Sequence, residues 1–580
     1  MTIAAAMSAL ALPLAAAELP APVVAPPAVT APAAEGAASL PPAASASVSA
    51  PVGLPTDITP HPWSAFPTTS ALPPTTNPHL VPAAEQPPAF AIHPSIATSN
   101  SWTDNALLTA TNAKSDFITT LTPNLSVSGK SRRVNADLNY NVFYDRYATQ
   151  SSLTGFRQSG IGTLNAELAE QLLYLDTRAS ISEQSLQPTG PTTAGARTSP
   201  TGTTQVITTT VAPRLQHQFG SVALGELSAA HDETVNQSPG TSSGLSGASG
   251  AKAAVSNLGN DSTNRGKLEL RGGESFSQLL WDYSSNVSRD TMSSGALNQD
   301  THQLDMEYRL TRPFALLAVV GDDHTHGLGI DSEKYGGPYY SGGGHWTPTP
   351  DADIRLGMGQ RYAETNLYAL ASYKLGAETT FRFSRNISVG TDATNAVDNL
   401  NAIQRDSQGN FINPFSGLTT DPAAQPFARS NSAYRLENTT VSLQRQALRD
   451  TLGLNGTLSK QDILSSTSSL PTGATTVPLS SSTSVVTVGF SWSHLLTGAL
   501  TSNVNASLSD VTEAALPSAK TQHYSAGIGL SYKINPTLTG EANYKFANTY
   551  EPTQSSATLP AAQTGNILEN TLLVGLRNVF

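Results

Sequence analysis

The densest run of side chains with coordinating chemistry is Asp322-Asp323-His324-Thr325-His326. Two imidazoles and a carboxylate on an extended chain could meet a metal ion. The spacing fits no helical zinc motif, however, and a Gly-rich stretch follows, so a solvated loop at a strand exit is the simpler reading. His231-Asp232-Glu233 reads the same way. Gly240-Thr241-Ser242-Ser243-Gly244 fits the nucleophile-elbow pattern, but an elbow needs a strand before the serine and a helix after it. A Ser/Gly-rich stretch surrounds it instead. Gly266-Lys267 is followed by Leu268, and Asp261 stands where a phosphate-binding loop has its first glycine. With no cysteines at all, thiolate catalysis, Cys-ligated zinc and iron–sulfur clusters are excluded. No catalytic residue, metal ligand or cofactor is assigned, and the chain reads as a non-enzyme.

The more informative charges recur at every second residue. Lys267, Glu269 and Arg271 form one such set, Asp305, Glu307 and Arg309 another, and Asp353, Arg355 and Arg361 a third. Lys533, Glu541, Lys545 and Arg577 occupy equivalent polar positions near the C-terminus. Side chains alternate across a strand, so each set shares one face. Two uses are open: interlocked ion pairs bracing a wall, or a polar lining that hydrogen-bonds hydroxyl-rich polymers and tunes ion selectivity.

Strands must therefore carry these residues. In Tyr524–Ile534 (YSAGIGLSYKI), Tyr524, Ala526, Ile528, Leu530, Tyr532 and Ile534 share one face, and Ser, Gly and Lys fill the other. The pattern returns in 134–142, 304–310 and 486–494. Charged residues are 13% and hydrophobic residues 38%; charge is about half the usual share, too little to solvate several soluble surfaces. A net charge of -11 argues against nucleic acid as a partner, and no apolar run approaches a spanning helix.

Faces this apolar, backed by faces this polar, suit a membrane barrel with lipid outside and water within. Tyr144, Tyr308, Tyr362, Trp492 and Tyr544 sit near strand ends, as interface girdles require. Short turns are expected near Lys130-Ser131, Leu175-Asp176, Phe219-Gly220, Gly272-Gly273, Arg312-Pro313, Leu375-Gly376, Leu448-Arg449, Thr497-Gly498 and Asn535-Pro536. Long loops are expected near 187–202, 236–256, 390–430 and 462–483. Nine turns give 18 strands, and 566–580 and Phe90–Asn105 add one each. The expectation is an all-β, antiparallel transmembrane barrel of about 20 strands, range roughly 16–24.

The N-terminal residues are different material. Residues 1–17 read as a secretory signal with Ala15-Ala16-Ala17 as its cleavage site, although no Lys or Arg precedes the apolar run. Residues 18–88 read as a disordered Pro/Ala-rich periplasmic tether, since 20 of the 39 prolines lie in the first 100 residues. The barrel is then 89–580.

Thr103-Asp104-Asn105, Lys114-Ser115-Asp116-Phe117, Leu121-Thr122-Pro123-Asn124-Leu125, Leu164-Asn165-Ala166-Glu167, Leu175-Asp176, Gly359-Gln360-Arg361-Tyr362 and the closing Gly575–Phe580 together resemble the PEP-CTERM system-associated outer-membrane β-barrel proteins. An amphipathic last strand ending in Phe580 resembles an outer-membrane insertion signal, with Asn578 where an aliphatic or aromatic residue is commoner. The resemblance implies a Gram-negative cell outer membrane and a role as conduit or anchor in exopolysaccharide export or matrix assembly. The partners expected are outer-membrane lipid, the barrel-assembly machinery, polysaccharide and periplasmic export proteins. An outer-membrane enzyme acting on envelope glycans and a porin-like diffusion channel are the alternatives.

Overall fold

The computed structural model describes residues 89–185, 203–237, 259–273, 275–405, 411–412, 427, 432–464, 482–513, 520–551 and 565–580. The expected signal segment, the tether, Gly240–Gly244 and much of the long loops lie outside the described residues.

The chain is all-β. Its first strands are β1 (Ala89–Thr103), β2 (Asp116–Lys130), β3 (Val134–Tyr147), β4 (Gly155–Ala169), β5 (Leu173–Ser185), β6 (Thr203–Phe219), β7 (Ala223–Gln237) and β8 (Asp261–Gly272). Then come β9 (Leu279–Met292), β10 (Gly295–Arg309), β11 (Phe314–Gly327), β12 (Gly337–Trp346), β13 (Ala352–Arg361), β14 (Glu364–Leu375) and β15 (Thr379–Gly390). A helix, α1 (Asp392–Ala402), and a two-residue pairing of β16 (Gln404–Arg405) with β17 (Phe411–Ile412) interrupt the series. It resumes with β18 (Tyr434–Gln446), β19 (Asp450–Ile463), β20 (Ser482–Leu495), β21 (Leu500–Glu513), β22 (Lys520–Lys533), β23 (Leu538–Glu551) and β24 (Gly565–Val579).

Apart from β16 and β17, each strand pairs antiparallel with its sequence neighbours, and β1 pairs with β24 from Ser95↔Val579 to Thr103↔Thr571. The sheet is a closed barrel of 22 strands. Closure pairs the first strand with the last, as an open sheet cannot, and it is clasped by the motif that opens the barrel. Asp104 accepts hydrogen bonds from the backbone and side-chain nitrogens of Asn570 (2.8 and 2.7 Å), and Asn105 Nδ2 donates to the Leu568 carbonyl (3.0 Å). At the other end, the Phe580 amide donates to the Pro94 carbonyl (2.9 Å).

One end of the barrel carries ten connections of three to six residues. Eight coincide with expected turns. The turn expected at Leu175-Asp176 is at Glu170–Leu172, and Asp176 lies inside β5, where it faces Arg214 at 3.1 Å. The tenth, at 347–351, was not expected. Its sequence, Thr347-Pro348-Thr349-Pro350-Asp351, is a plain turn, but it joins strands only ten residues long and rich in glycine, which alternation does not reveal. That turn supplies the two strands by which 22 exceeds about 20. The opposite end carries the longer loops, apart from the six residues 514–519 and two connections of two residues each, Ser293-Ser294 and Tyr362-Ala363. Both residues of the second have positive φ (58° and 55°), the conformation a tight hairpin with right-handed twist requires.

Outside the barrel, apolar side chains stand unpaired on strand after strand: Leu227, Leu316, Leu356, Leu454, Ile528 and Val574 are among those 45–56% exposed. A continuous apolar girdle of this size belongs against lipid, not water. Tyr308 and Tyr544 join its outward aromatics, Tyr144 packs on Phe156 (4.8 Å between centroids), and Trp492 donates to Asp450 (3.0 Å). Tyr362 does not: it is 6% exposed and faces inward against Ile387 and Val389.

Candidate functional site: the divided inner wall

The inner surface has two unlike sides. From β5 to β15 the inward residues are mostly buried. Polar side chains reach this state only when paired, and the pairing is dense. Lys267 and Arg271 each approach Glu269 at 2.5 Å, and Arg271 approaches Asp282 at 3.7 Å. Arg265 meets Asp232 at 2.6 Å. Arg361 grips Asp323 through Nε and Nη2 (2.6 and 2.7 Å) and stacks on Tyr339 at 4.2 Å. Arg355 pairs with Asp353 (3.2 Å), His345 bridges Glu307 and Asp353 (3.2 and 3.4 Å), and Arg309 lies 3.9 Å from Glu307. Asp305 accepts from Gln303 (2.7 Å). The nine candidates between Lys267 and Arg361 thus share one braced region.

Lys533, Glu541, Lys545 and Arg577 face inward elsewhere, on β22, β23 and β24, by the alternation that puts Ile528, Tyr544 and Leu576 outside. Asp322–His326 is divided by the pleat. Asp323 and Thr325 point in, whereas Asp322, His324 and His326 lie on the outer face, with His324 Nδ1 3.3 Å from Asp322. Among the described residues no three His, Asp or Glu side chains are placed to hold a metal ion. His231-Asp232-Glu233 divides likewise: Asp232 meets Arg265, and His231 contacts Asn264 (2.9 Å) on the outer face.

The two sides are separated by a feature that alternation cannot show. Pairing of β14 with β15 runs from Leu375↔Thr379 to Ala369↔Arg385 and stops, leaving 364–368 and 386–390 without a ladder between them. β15 stays paired with β18 to its end, at Gly390↔Tyr434. Ile387 and Val389 share the parity of outward residues, yet they are 1% and 0% exposed, packed against Tyr362. The tip of the β15–β18 hairpin has therefore left the wall and lies inside the barrel. Arg435 binds Glu364 and Asn366 of β14, and Gln299 of β10 donates to the Val389 carbonyl (3.2 Å). Met292, Leu297, Leu328, Ile330 and Ala433, with Tyr335 and Leu464 against them, close an apolar contact between the tips of distant strands.

The helix α1 continues the intrusion. Thr391 caps it reciprocally with Thr394, and Ala393, Ala396, Val397 and Leu400 at helical spacing are buried. Its N-terminus is tied to the wall by Thr391 Oγ1 donating to Asp290 (2.6 Å), and Asp398 pairs with Arg265 (3.2 Å). At its C-terminus Arg178 Nη1 donates to the carbonyls of Leu400 and Ile403 (3.1 and 3.0 Å), where a cation also complements the helix dipole. The sequence reading expected only a loop here. The signal was present in Thr391-Asp392-Ala393-Thr394 followed by Ala396, Val397 and Leu400. Arg178, Arg214, Arg265 and Arg435 were likewise missed, though each stands on a strand with alternating partners.

The other side, β18–β24 with β1–β4, is open. Asn503, Asn505 and Ser507 of β21 face inward and are solvent-exposed, as are Ala506 and Leu508 on the outer face of the same strand. Hydroxyl and amide contacts line it beside one inward ion pair, Arg157 with Asp145 (2.7 Å): Thr487 with Ser509 (3.2 Å), Ser507 with Ser525 (2.6 Å), and Asn124 with Asn139 and Asn141 (2.8 and 2.9 Å).

No family model matches the chain, and no curated protein matches it. Among solved structures it is similar in fold to the ferric-catecholate import receptor Fiu of E. coli (10% identity, TM-score 0.44, 84% of this chain and 81% of that one). It is similar also to a mutant of the ferric enterobactin receptor PfeA from Pseudomonas aeruginosa (11%, 0.42, 84% and 80%) and to OpdK from the same organism (8%, 0.32, 84% and 99%).

Proposed function

We propose that this outer-membrane barrel is a conduit, or an anchor, in exopolysaccharide export and matrix assembly, and that it performs no chemistry of its own. The observation that supports this reading is the division of the lumen. A braced, ion-paired side carries the inward hairpin and α1, and facing it is a hydrated side lined by amides and hydroxyls. A barrel serving only as a lipid-embedded anchor needs no such lining.

In this reading the turn end and both chain ends face the periplasm, as in outer-membrane barrels generally. Polymer passes along the hydrated side, and α1 with the β15–β18 tip sets the width of the passage. Residues 18–88 would address periplasmic export proteins, and Phe580 would serve recognition by the assembly machinery. The test pairs planar-bilayer recording of the purified full-length protein with polymer export in a deletion strain. Stable conductance and lost export are expected. Conductance with normal export would leave a general diffusion channel, and neither would leave an anchor.

A further inference from the structure

Three inward asparagines occupy the same place in successive upward strands. Asn455, Asn505 and Asn543 are each the sixth residue of their strand, β19, β21 and β23. Each lies flat over a glycine of a neighbouring strand. A Cβ on Gly489, Gly527 or Gly529 would stand 2.4, 2.5 or 2.1 Å from the Oδ1 of Asn455, Asn505 or Asn543, closer than real atoms approach. The registers agree, pairing Asn455↔Gly489, Asn505↔Gly527 and Gly529↔Asn543. Glycine here keeps the amides against the wall and the passage wide. Among the described residues none of the three amides makes a side-chain hydrogen bond, so their donors and acceptors are directed to whatever fills the lumen.

Charge is sparse around Asn455 and Asn505, and Asn543 stands between two residues of opposite sign, Glu541 and Lys545, on the inner face of β23. On the inner face from β19 to β22 the only ionised side chains are Glu513 and Lys533, each the last residue of its strand. On the braced side, by contrast, Arg265, Lys267 and Arg361 are each held within 2.6 Å of a carboxylate, so they offer no uncompensated charge to an anionic polymer.

We propose that this amide collar is a transit site for uncharged, hydroxyl-rich glycan, whose hydroxyls exchange hydrogen bonds with Asn455, Asn505 and Asn543 as the chain passes. An amide both donates and accepts, as a hydroxyl does, and single neutral hydrogen bonds in water are weak enough to be exchanged quickly. No Phe, Tyr or Trp faces inward on β19–β23, so there is no broad platform on which sugars would stack and stall. The inference rests on the conduit reading and narrows its cargo.

The experiment measures current block in planar bilayers by dextran oligomers and by polygalacturonate oligomers of equal length. Dextran should block the open channel at millimolar concentration and polygalacturonate at least tenfold less well. Replacing all three residues (Asn455→Leu, Asn505→Leu, Asn543→Leu) should weaken dextran block at least tenfold, measured as the fraction of each channel's own unblocked current. The single Asn505→Ser variant should weaken it two- to threefold, should the triple variant fail to assemble. Stronger block by polygalacturonate, or undiminished dextran block in Asn505→Ser, overturns the collar but leaves the conduit. No open-channel current in the wild type overturns both.

Discussion

Releasing α1 from the lumen is the most direct way to examine how the passage is set. Arg178 makes two bonds from a charged donor to the last carbonyls of the helix, Leu400 and Ile403. Such bonds contribute about 1.5–3 kcal/mol each. They are not additive, and the freed carbonyls regain water when the helix undocks, so Arg178→Met should cost roughly 2–4 kcal/mol of docking free energy. At about 1.4 kcal/mol per decade, the undocked fraction should rise roughly 30- to 700-fold. Methionine keeps most of the aliphatic stem, so the strand itself should be little disturbed.

The chain has no cysteine, which makes the assay clean. Ala396 is fully buried on the helix, so a thiol placed there (Ala396→Cys) reacts with a water-soluble maleimide only while α1 is undocked. The labelling rate should rise by at least tenfold when Arg178→Met is added, and single-channel conductance should become larger and noisier. Heat-modifiable gel mobility should persist, showing an intact barrel. A labelling rate within threefold of the Ala396→Cys parent would mean that Arg178 does not hold the helix, and the constriction argument would fail.

Other perturbations address the wall. Because pairing of β14 with β15 ends at Ala369↔Arg385, Ala371→Cys with Phe383→Cys should oxidise readily to a cross-strand disulfide. Leu367→Cys with Ile387→Cys, the pair that an unbroken ladder would bring together, should not; equal yields on a gel would refute the inward hairpin. Removing the buried guanidinium by Arg361→Leu strands the Asp323 carboxylate and should cost about 3–5 kcal/mol, read as a lower temperature of the heat-modifiability transition. Adding Asp323→Leu should recover much of that loss. Asp104→Ala removes both acceptors at the closing seam and should cost roughly 1–3 kcal/mol, measured the same way, without changing conductance.

How much of this was legible in the sequence depends on which force sets each feature. Alternation is imposed by the pleat and by a sharp lipid–water contrast. Tyr524–Ile534 or Lys267–Arg271 could therefore be assigned to faces from residue types alone. The turn at 347–351 escaped because it joins ten-residue strands in which glycines, Gly342–Gly344, Gly357 and Gly359, stand where alternating residue types would otherwise mark the faces. The turn placed at Leu175-Asp176 was misplaced because Asp reads as a turn residue until its partner Arg214, on the next strand, is known.

The inward hairpin shows where the pattern itself misleads. Phe381, Phe383, Ile387 and Val389 share one face, interrupted only by Arg385, and local reasoning gives all four to lipid. Only the first two can be there, because the ladder to β14 ends at Arg385. Ile387 and Val389 instead meet Tyr362, which was itself assigned to a membrane girdle. The same greasy stripe thus serves lipid below and an internal contact above, and both environments select the same residue types. What distinguishes them is the company of Arg435, Glu364 and Asn366, polar groups that lipid would not tolerate beside Val389 but that an enclosed lumen can pair. In this barrel the break in the wall coincides with charge on the apolar face near the strand ends, at Arg385, Arg435 and Glu437.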